Sequence, residues 1–355
     1  MSEAPSQAAA AGSPPQIAGE PPRVHLAPLP TPLHHLPRLS ERLGIEVLCK
    51  RDDLTGSVLS GNKVRKLEYL LAEALAVGAD TVITCGGAQS NHCRATALAA
   101  AQLGLRSVLL LRTEDPAAPP PLEGNLLLDR VAGAEVRFIS RPEYARRAER
   151  LAEEVVRLSL AGRVPYVIPE GGSNALGAWG YVRAAFELRA QLAALQWREK
   201  AREVTLVYAA GSGGTGAGLI AGVALAALEA RVVGFAVCDD AAYFQGEIAR
   251  ILAELARRHD LPCAAPPAAI EIVDEFVGIG YAKTRPEELR SLVTVARAEG
   301  LVLDPVYTGK AMHGLMELQR RAPGCLGQRV VFVHTGGVFG LLTGEHAASL
   351  APLLQ

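Results

Sequence analysis

The stretch "VTLVYAAGSGGTGAG" (Val204–Gly218) decides the fold class. "VTLVYAA" (204–210) is a nearly continuous apolar run without polar alternation, which reads as a strand buried on both faces. A glycine-rich turn follows, and a helix is expected from about 216 to 229. Strand, glycine turn and helix in that order make the repeating unit of a parallel sheet. The same order recurs along the chain. "TVITC" (81–85), "SVLLL" (107–111), "EVRFI" (135–139), "YVIP" (166–169), "RVVGFAV" (231–237), "AIEIV" (269–273) and "RVVFVH" (329–334) read as further strands. Helices are expected at 91–104, near 122–132, at 143–160 and at 175–193. The chain is therefore expected to be α/β, with parallel sheets flanked by helices and no tandem repeat.

A length of 355 residues suits two lobes. Basic and acidic residues nearly cancel, 36 against 37, which argues against nucleic acid or an anionic membrane surface as partner. No apolar run reaches the roughly 18 residues that span a bilayer. Residues 1–22, rich in Ala, Ser, Pro and Gly, lack a secretion signal and read as a disordered tail. Six scattered cysteines without a CxxC pair then fit reduced thiols in the cytoplasm. No cluster of His and Cys has metal-ligand spacing, so no metal is expected.

Ligands of such sheets sit in the turns after the strands. Four turns are rich in Gly and small polar residues: "CGGAQSNH" (85–92), "PEGGSN" (169–174), "GSGGTGAG" (211–218) and "HTGG" (334–337). Gly211, Gly213 and Gly216 fit G-x-G-x-x-G, and Asp239 and Asp240 end the next strand, as in a dinucleotide site. Any phosphate cradle, or a tight turn alone, would look the same. The position of the motif late in the chain counts against a dinucleotide. Ser90, Asn91 and His92 open a helix, where free amides suit a carboxylate; plain capping by Ser90 or Asn91 explains them equally.

The stretch "SGNKVRKLEYLLAEAL" (60–75) poses a puzzle. Leu67, Leu70, Leu71, Ala74 and Leu75 mark an amphipathic helix with Asn62 expected as its N-cap. Lys63 then falls in the first turn, where the helix end disfavours a cation. A surface lysine could simply reach solvent. In a dry pocket, with Arg65 and Lys66 adding like charge, its pKa would fall and the amine would become nucleophilic, fit to form a Schiff base. A Schiff base together with a phosphate cradle is what pyridoxal phosphate requires.

"SGNKVRKLEYL", "GGAQSNHCR", "YVIPEGGSNALGAWGY", "GSGGTGAG", "DPVYTGKAMHGL" and "HTGG", in this order, resemble the D-cysteine desulfhydrase and 1-aminocyclopropane-1-carboxylate (ACC) deaminase family. The resemblance runs from about Leu26 to the C-terminus. It implies the two-lobed tryptophan-synthase-β type of fold and pyridoxal 5'-phosphate as cofactor. Lys63 resembles the lysine that carries the cofactor and moves the Cα proton. Asn62 resembles the side chain on the cofactor's 3-oxygen. Gly211, Ser212, Gly213, Gly214 and Thr215 would cup its phosphate, and Thr335 would face its pyridine nitrogen. Ser90, with the amides of Asn91 and His92, resembles the pocket for the substrate carboxylate. Tyr281 and Tyr307 match two active-site tyrosines.

ACC deaminases of this family have Glu after the tyrosine of "DPVY" and an apolar residue in place of the Thr of "HTGG". Thr308 and Thr335 stand there in this chain, a pattern similar to the desulfhydrases. Ser60 departs from the usual Gly, and "CDDAAYF" (238–244) is less typical. That segment either lines the pocket or is a surface turn with an acidic helix start.

The resemblance implies α,β-elimination on a small β-substituted amino acid, D-cysteine giving pyruvate, ammonia and hydrogen sulfide. ACC deaminase and cysteate sulfo-lyase are the rivals on the same scaffold. A dinucleotide-dependent oxidoreductase and a catalytically silent cofactor-binding protein are the rivals outside it. The expected lobes are 23–66 plus 182–355, holding the cofactor, and 67–181, closing over the substrate. A cytoplasmic homodimer is the family expectation.

Overall fold

A computed structural model describes residues 17–195 and 204–354. The chain builds two sheets. Their strands, in chain order, are β1 (Leu33–His35), β2 (Glu46–Lys50), β3 (Thr81–Gly87), β4 (Arg106–Arg112), β5 (Glu135–Ile139), β6 (Pro165–Val167), β7 (Val204–Ala210), β8 (Ala230–Ala236), β9 (Glu271–Val273) and β10 (Arg329–Val333). The larger sheet has the order β1-β2-β10-β7-β8-β9 and the smaller β5-β4-β3-β6. Every pairing is parallel except β1 with β2.

The parallel α/β reading holds, and all eight expected strands are present. The strands β1 and β2 were not expected. They bring the N-terminal segment into the larger sheet, where Phe332 of β10 stands between Cys49 of β2 and Val207 of β7. Other differences are local. The helix expected at 143–160 is two, Arg141–Ala145 and Arg147–Leu160, broken at Arg146. The helix after β7 runs Gly214–Leu225, and Ala227 at φ 46 prevents its continuing to 229. Of the expected tail, residues 1–16 lie outside the described residues. Residues 17–22 are corrected: Ile17 packs against the core, and Glu20 accepts hydrogen bonds from Tyr69 and Arg183.

The expected lobe borders, after 66 and after 181, fall within two continuous helices, Asn62–Ala76 and Ala175–Ala194. These two helices pack backbone to backbone. A Cβ on Gly180 would stand 2.6 Å from the Arg65 carbonyl carbon, and one on Gly222 of the next helix 2.6 Å from Ala185 Cβ. Small residues thus bring three helices together beneath the site.

A fully buried ionic cluster locks this junction. The Arg65 guanidinium donates to Asp52 at 2.8 and 2.9 Å and to Glu187 at 2.8 and 2.9 Å. Lys50 of β2 donates to Glu187 at 2.8 Å, and the Tyr181 hydroxyl donates to Asp52 at 2.6 Å. Buried charge is tolerated because every member finds an opposite partner. The clustering also corrects one expectation: Arg65 points away from Lys63 into this network and adds no like charge to it.

Candidate active site

The Lys63 helix begins against the "HTGG" turn. Gly61, at φ 95, precedes its first turn, and a Cβ there would stand 2.8 Å from the Thr335 carbonyl oxygen. Only glycine combines that backbone angle with that approach. Asn62 is the first helical residue rather than the expected N-cap. Its amide donates to the Thr335 carbonyl at 3.0 Å, and its Nδ2 donates to Thr215 Oγ1 at 3.2 Å.

Lys63 therefore points inward. Its Nζ donates to the Gly171 carbonyl at 3.2 Å and to Ser212 Oγ at 3.4 Å, so "SGNK", "PEGGSN" and "GSGGTGAG" meet at one amine. Burial lowers its pKa to about 8, against a smaller opposing pull from Glu170. Burial disfavours the ammonium because it has left water for two neutral acceptors.

A second amine sits beside it. Lys66 is fully buried, and its Nζ donates to the Gly171 carbonyl and to Ser173 Oγ, both at 3.2 Å. Burial, and then the charge of Lys63, hold it well below the ordinary lysine value. A Cβ on Gly214 would come within 2.9 Å of this Nζ. Only neutral oxygens partner Lys66 among the described residues, so an anion placed beside it would favour its charged form.

The turn after β7 faces the same space. Gly211, Ser212, Gly213 and Thr215 line the cavity, whereas Gly214 packs against Ser173 and Lys66. Gly213 has φ 47, and the helix starts one residue later, the Gly214 amide donating to the Ser212 carbonyl. Ser90 caps its helix, its Oγ accepting from the Cys93 amide at 3.2 Å. The carboxamide of Asn91 accepts from Asn125 at 3.0 Å. The His92 ring turns inward, 2.9 Å from Thr84 Oγ1, and burial with the charges of Lys63 and Lys66 keeps it neutral.

Across the cavity the hydroxyls of Tyr281 and Tyr307 share a hydrogen bond of 2.7 Å. Burial raises Tyr281 to about 12 and holds Tyr307 well above its ordinary value, so both keep their protons. Asp304, missed in the sequence, sets Tyr307 in place: its carboxylate accepts the amides of Val306 and Tyr307 at 2.9 Å and the Thr308 hydroxyl at 2.7 Å. Gly211 leaves room for the ring, since a Cβ there would stand 3.0 Å from it.

Lys63, Ser90, Tyr281, Tyr307 and Thr335 thus line one cavity of about 1160 Å³. The "CDDAAYF" segment does both things expected of it. Cys238, Asp239 and Tyr243 line the cavity, and Asp240 caps the Ala241–His259 helix by accepting from the Tyr243 amide. Glu170 lies in the "PEGGSN" turn already noted, whereas Arg112, Tyr144, Arg147 and Tyr208 are among the lining residues that escaped the sequence reading. Lys66 was legible, standing three residues after Lys63 on the same helix face. No helix among the described residues is long and apolar enough to cross a membrane, and no three of their His, Cys, Asp or Glu side chains are grouped to hold a metal.

The donor set fits a phosphorylated aldehyde: an amine of lowered pKa, a second buried amine, and a glycine turn opening a helix. The family model for pyridoxal-phosphate dependent enzymes matches residues 24–336. The chain belongs to that family. Pyridoxal phosphate is accordingly its cofactor, and the dinucleotide alternative lapses, with Asp240 spent as a helix cap. The chain is 46% identical over 324 residues to the bifunctional D-cysteine desulfhydrase/ACC deaminase of Arabidopsis thaliana, covering 89% of this chain and 78% of that one. It is 41% identical to the D-cysteine desulfhydrase of Klebsiella pneumoniae, covering 89% and 94%. The crystal structure of an ACC deaminase homologue matches with a TM-score of 0.81 and 41% identity, covering 94% of this chain and 97% of that one.

Proposed function

We propose that this enzyme eliminates the β-substituent of a small amino acid, with D-cysteine and one water giving pyruvate, ammonia and hydrogen sulfide. One arrangement carries the reading: a lysine of lowered pKa and a hydrogen-bonded pair of protonated tyrosines line the same cavity. The relatives named D-cysteine desulfhydrase support the substrate. Asn62, Lys63, Lys66, the Gly211–Thr215 turn and Thr335 would hold the cofactor. When bound, pyridoxal phosphate supplies an aldehyde for the substrate amine and a ring that takes up charge left at Cα.

The side chains divide the remaining work. Lys63 would take the Cα proton, its uncharged form being accessible near pH 8. Ser90 Oγ, which accepts from Cys93 and can still donate, would hold the substrate carboxylate with the amides of Asn91 and His92. The tyrosine pair would hand a proton to the departing sulfur. One hydroxyl donates to the other, so one proton is left to give.

ACC opening is the second reading, supported by the ACC deaminase activity in a relative's name. Thr308 weighs against it: its hydroxyl is fully buried and bonded to Asp304 rather than turned to the cavity. The reading extends to the cytoplasm, on the scattered cysteines, and to a homodimer, on family resemblance alone. Assay of pyruvate, sulfide, sulfite and 2-oxobutyrate from a panel of D- and L-amino acids tests it. Sulfide and pyruvate from D-cysteine are expected, lost in Lys63→Ala. Dominant 2-oxobutyrate or sulfite would move the assignment to ACC or cysteate, and no product at all would leave a silent binding protein.

A further inference from the structure

Arg112 ends β4 at the rim of the cavity. Its guanidinium carbon lies over the Tyr144 ring, 4.9 Å from the centroid, and over the Tyr281 ring, 5.4 Å from the centroid. One terminal nitrogen stands 3.9 Å from where a Cβ on Gly87 would be, a position that Tyr281 also faces at 3.7 Å. Stacking engages the faces of a guanidinium and leaves its N–H edge, which seeks an acceptor in its own plane. Among the described residues no side-chain acceptor meets that edge and no carboxylate comes within ion-pair distance. The neighbouring Arg147 is the contrast: it stacks on Tyr144 at 5.4 Å but is paired to Glu170 at 2.9 Å.

A stacked, half-buried cation without an anion, next to a tyrosine of the hydroxyl pair, has a direction. We propose that Arg112 is a specificity-determining residue that recognises negative charge on the substituent borne by the substrate's β-carbon. This deepens the elimination reading and rests on it for the orientation of the substrate. The carboxylate end is given to Ser90, which a Cβ on Gly86 would face, whereas one on Gly87 would face Tyr281 at 3.7 Å and Arg112 at 3.9 Å, so a substrate held at Ser90 presents its β-substituent towards Tyr281 and Arg112. Thiolate, carboxylate and sulfonate substituents share the required charge. A neutral halide substituent lacks it.

The test compares D-cysteate, whose sulfonate is always charged, with β-chloro-D-alanine, using the cofactor-loaded wild-type, Arg112→Gln and Arg112→Lys enzymes. Arg112→Gln should lower kcat/KM for D-cysteate roughly tenfold to hundredfold more than for β-chloro-D-alanine, the loss of one charge-assisted hydrogen bond. The excess should fall on KM, and Arg112→Lys should restore part of it. Calorimetric titration of D-cysteate and D-alanine into Lys63→Ala, with and without Arg112→Gln, gives the same ratio as an affinity and needs no turnover. If no panel member is turned over, the elimination reading fails while this affinity ratio still decides the role of Arg112. Equal losses for charged and neutral substrates, or an unchanged affinity ratio, would show that Arg112 merely latches Tyr144 to Tyr281 and would overturn the proposal. Unchanged cofactor content and thermal midpoint separate either outcome from misfolding.

Discussion

Lys63 and Lys66 donate to the same oxygen, the Gly171 carbonyl, each at 3.2 Å. Burial makes an ammonium costly at both positions, and for Lys66 the charge of Lys63 adds to that cost. Each lysine therefore gives up its proton more readily than in water. The two can divide labour, one as the amine that reacts and the other as a cation for the phosphate.

The first consequence concerns pH. Burial lowers the Lys63 pKa to about 8 from the ordinary 10.5. The folded chain thus binds the proton more weakly than the unfolded chain, so this group favours folding above 10.5 and loses that favour as pH falls through 8. The apo-enzyme should take up pyridoxal phosphate at a rate that rises with pH to a plateau, with a midpoint near 8. Stopped-flow absorbance measures it. A midpoint at 10.5 would mean that the amine is solvated after all.

Lys66→Met should weaken cofactor binding roughly tenfold to hundredfold, the value of one charge-assisted hydrogen bond. Pyridoxal without its phosphate should bind both proteins alike. Fluorescence titration of the apo-proteins with the two ligands checks this, and an equal loss for both would assign Lys66 to packing rather than to phosphate.

Removing one hydroxyl of the tyrosine pair should slow elimination without loosening the cofactor. Tyr307→Phe is expected to lower kcat by about 10²–10⁴, the usual weight of a positioned proton donor. Steady-state sulfide release gives the rate and absorbance gives the cofactor content. An unchanged kcat would move proton donation elsewhere.

The buried cluster around Glu187 should make the fold acid-sensitive. Burial pushes this carboxylate up, but Arg65 and Lys50 outweigh that and hold it at about 2. Its contribution is thus fully present above 4.5 and lost as pH falls towards 2. Denaturant midpoints for the wild type should drop across that window, and those for Glu187→Gln should drop less. At neutral pH Glu187→Gln should cost about 3–5 kcal/mol, because Lys50 is left buried without its counter-charge and Arg65 keeps only Asp52. A neutral-pH loss below about 1 kcal/mol, the level of a surface ion pair, would show that water reaches the cluster.

Much of the site was legible in the sequence because it rests on local rules. Periodicity placed the strands and the Lys63 helix. Glycines at strand ends marked the turns, and helix-end electrostatics singled out Lys63 and Ser90. Each of these signals lies within a few residues of the group it describes. Asn62 shows where local rules fail, since its cap position was taken by Gly61 once the Thr335 carbonyl came within reach. Arg65 shows it again: three of its partners, Thr31, Asp52 and Glu187, come from distant segments.

The amino-acid sequence by itself determined an α/β chain whose chemistry sits in the turns after its strands, because hydrophobic period and glycine placement act over single elements. Tertiary structure alone decided which turns meet. It joined β2 to β10, drove Lys66 into the interior, set Asp304 beneath Tyr307 and left Arg112 without a carboxylate among the described residues. Those outcomes depend on which faces pack together across hundreds of residues, and burial then fixes the charge state and partners of each group.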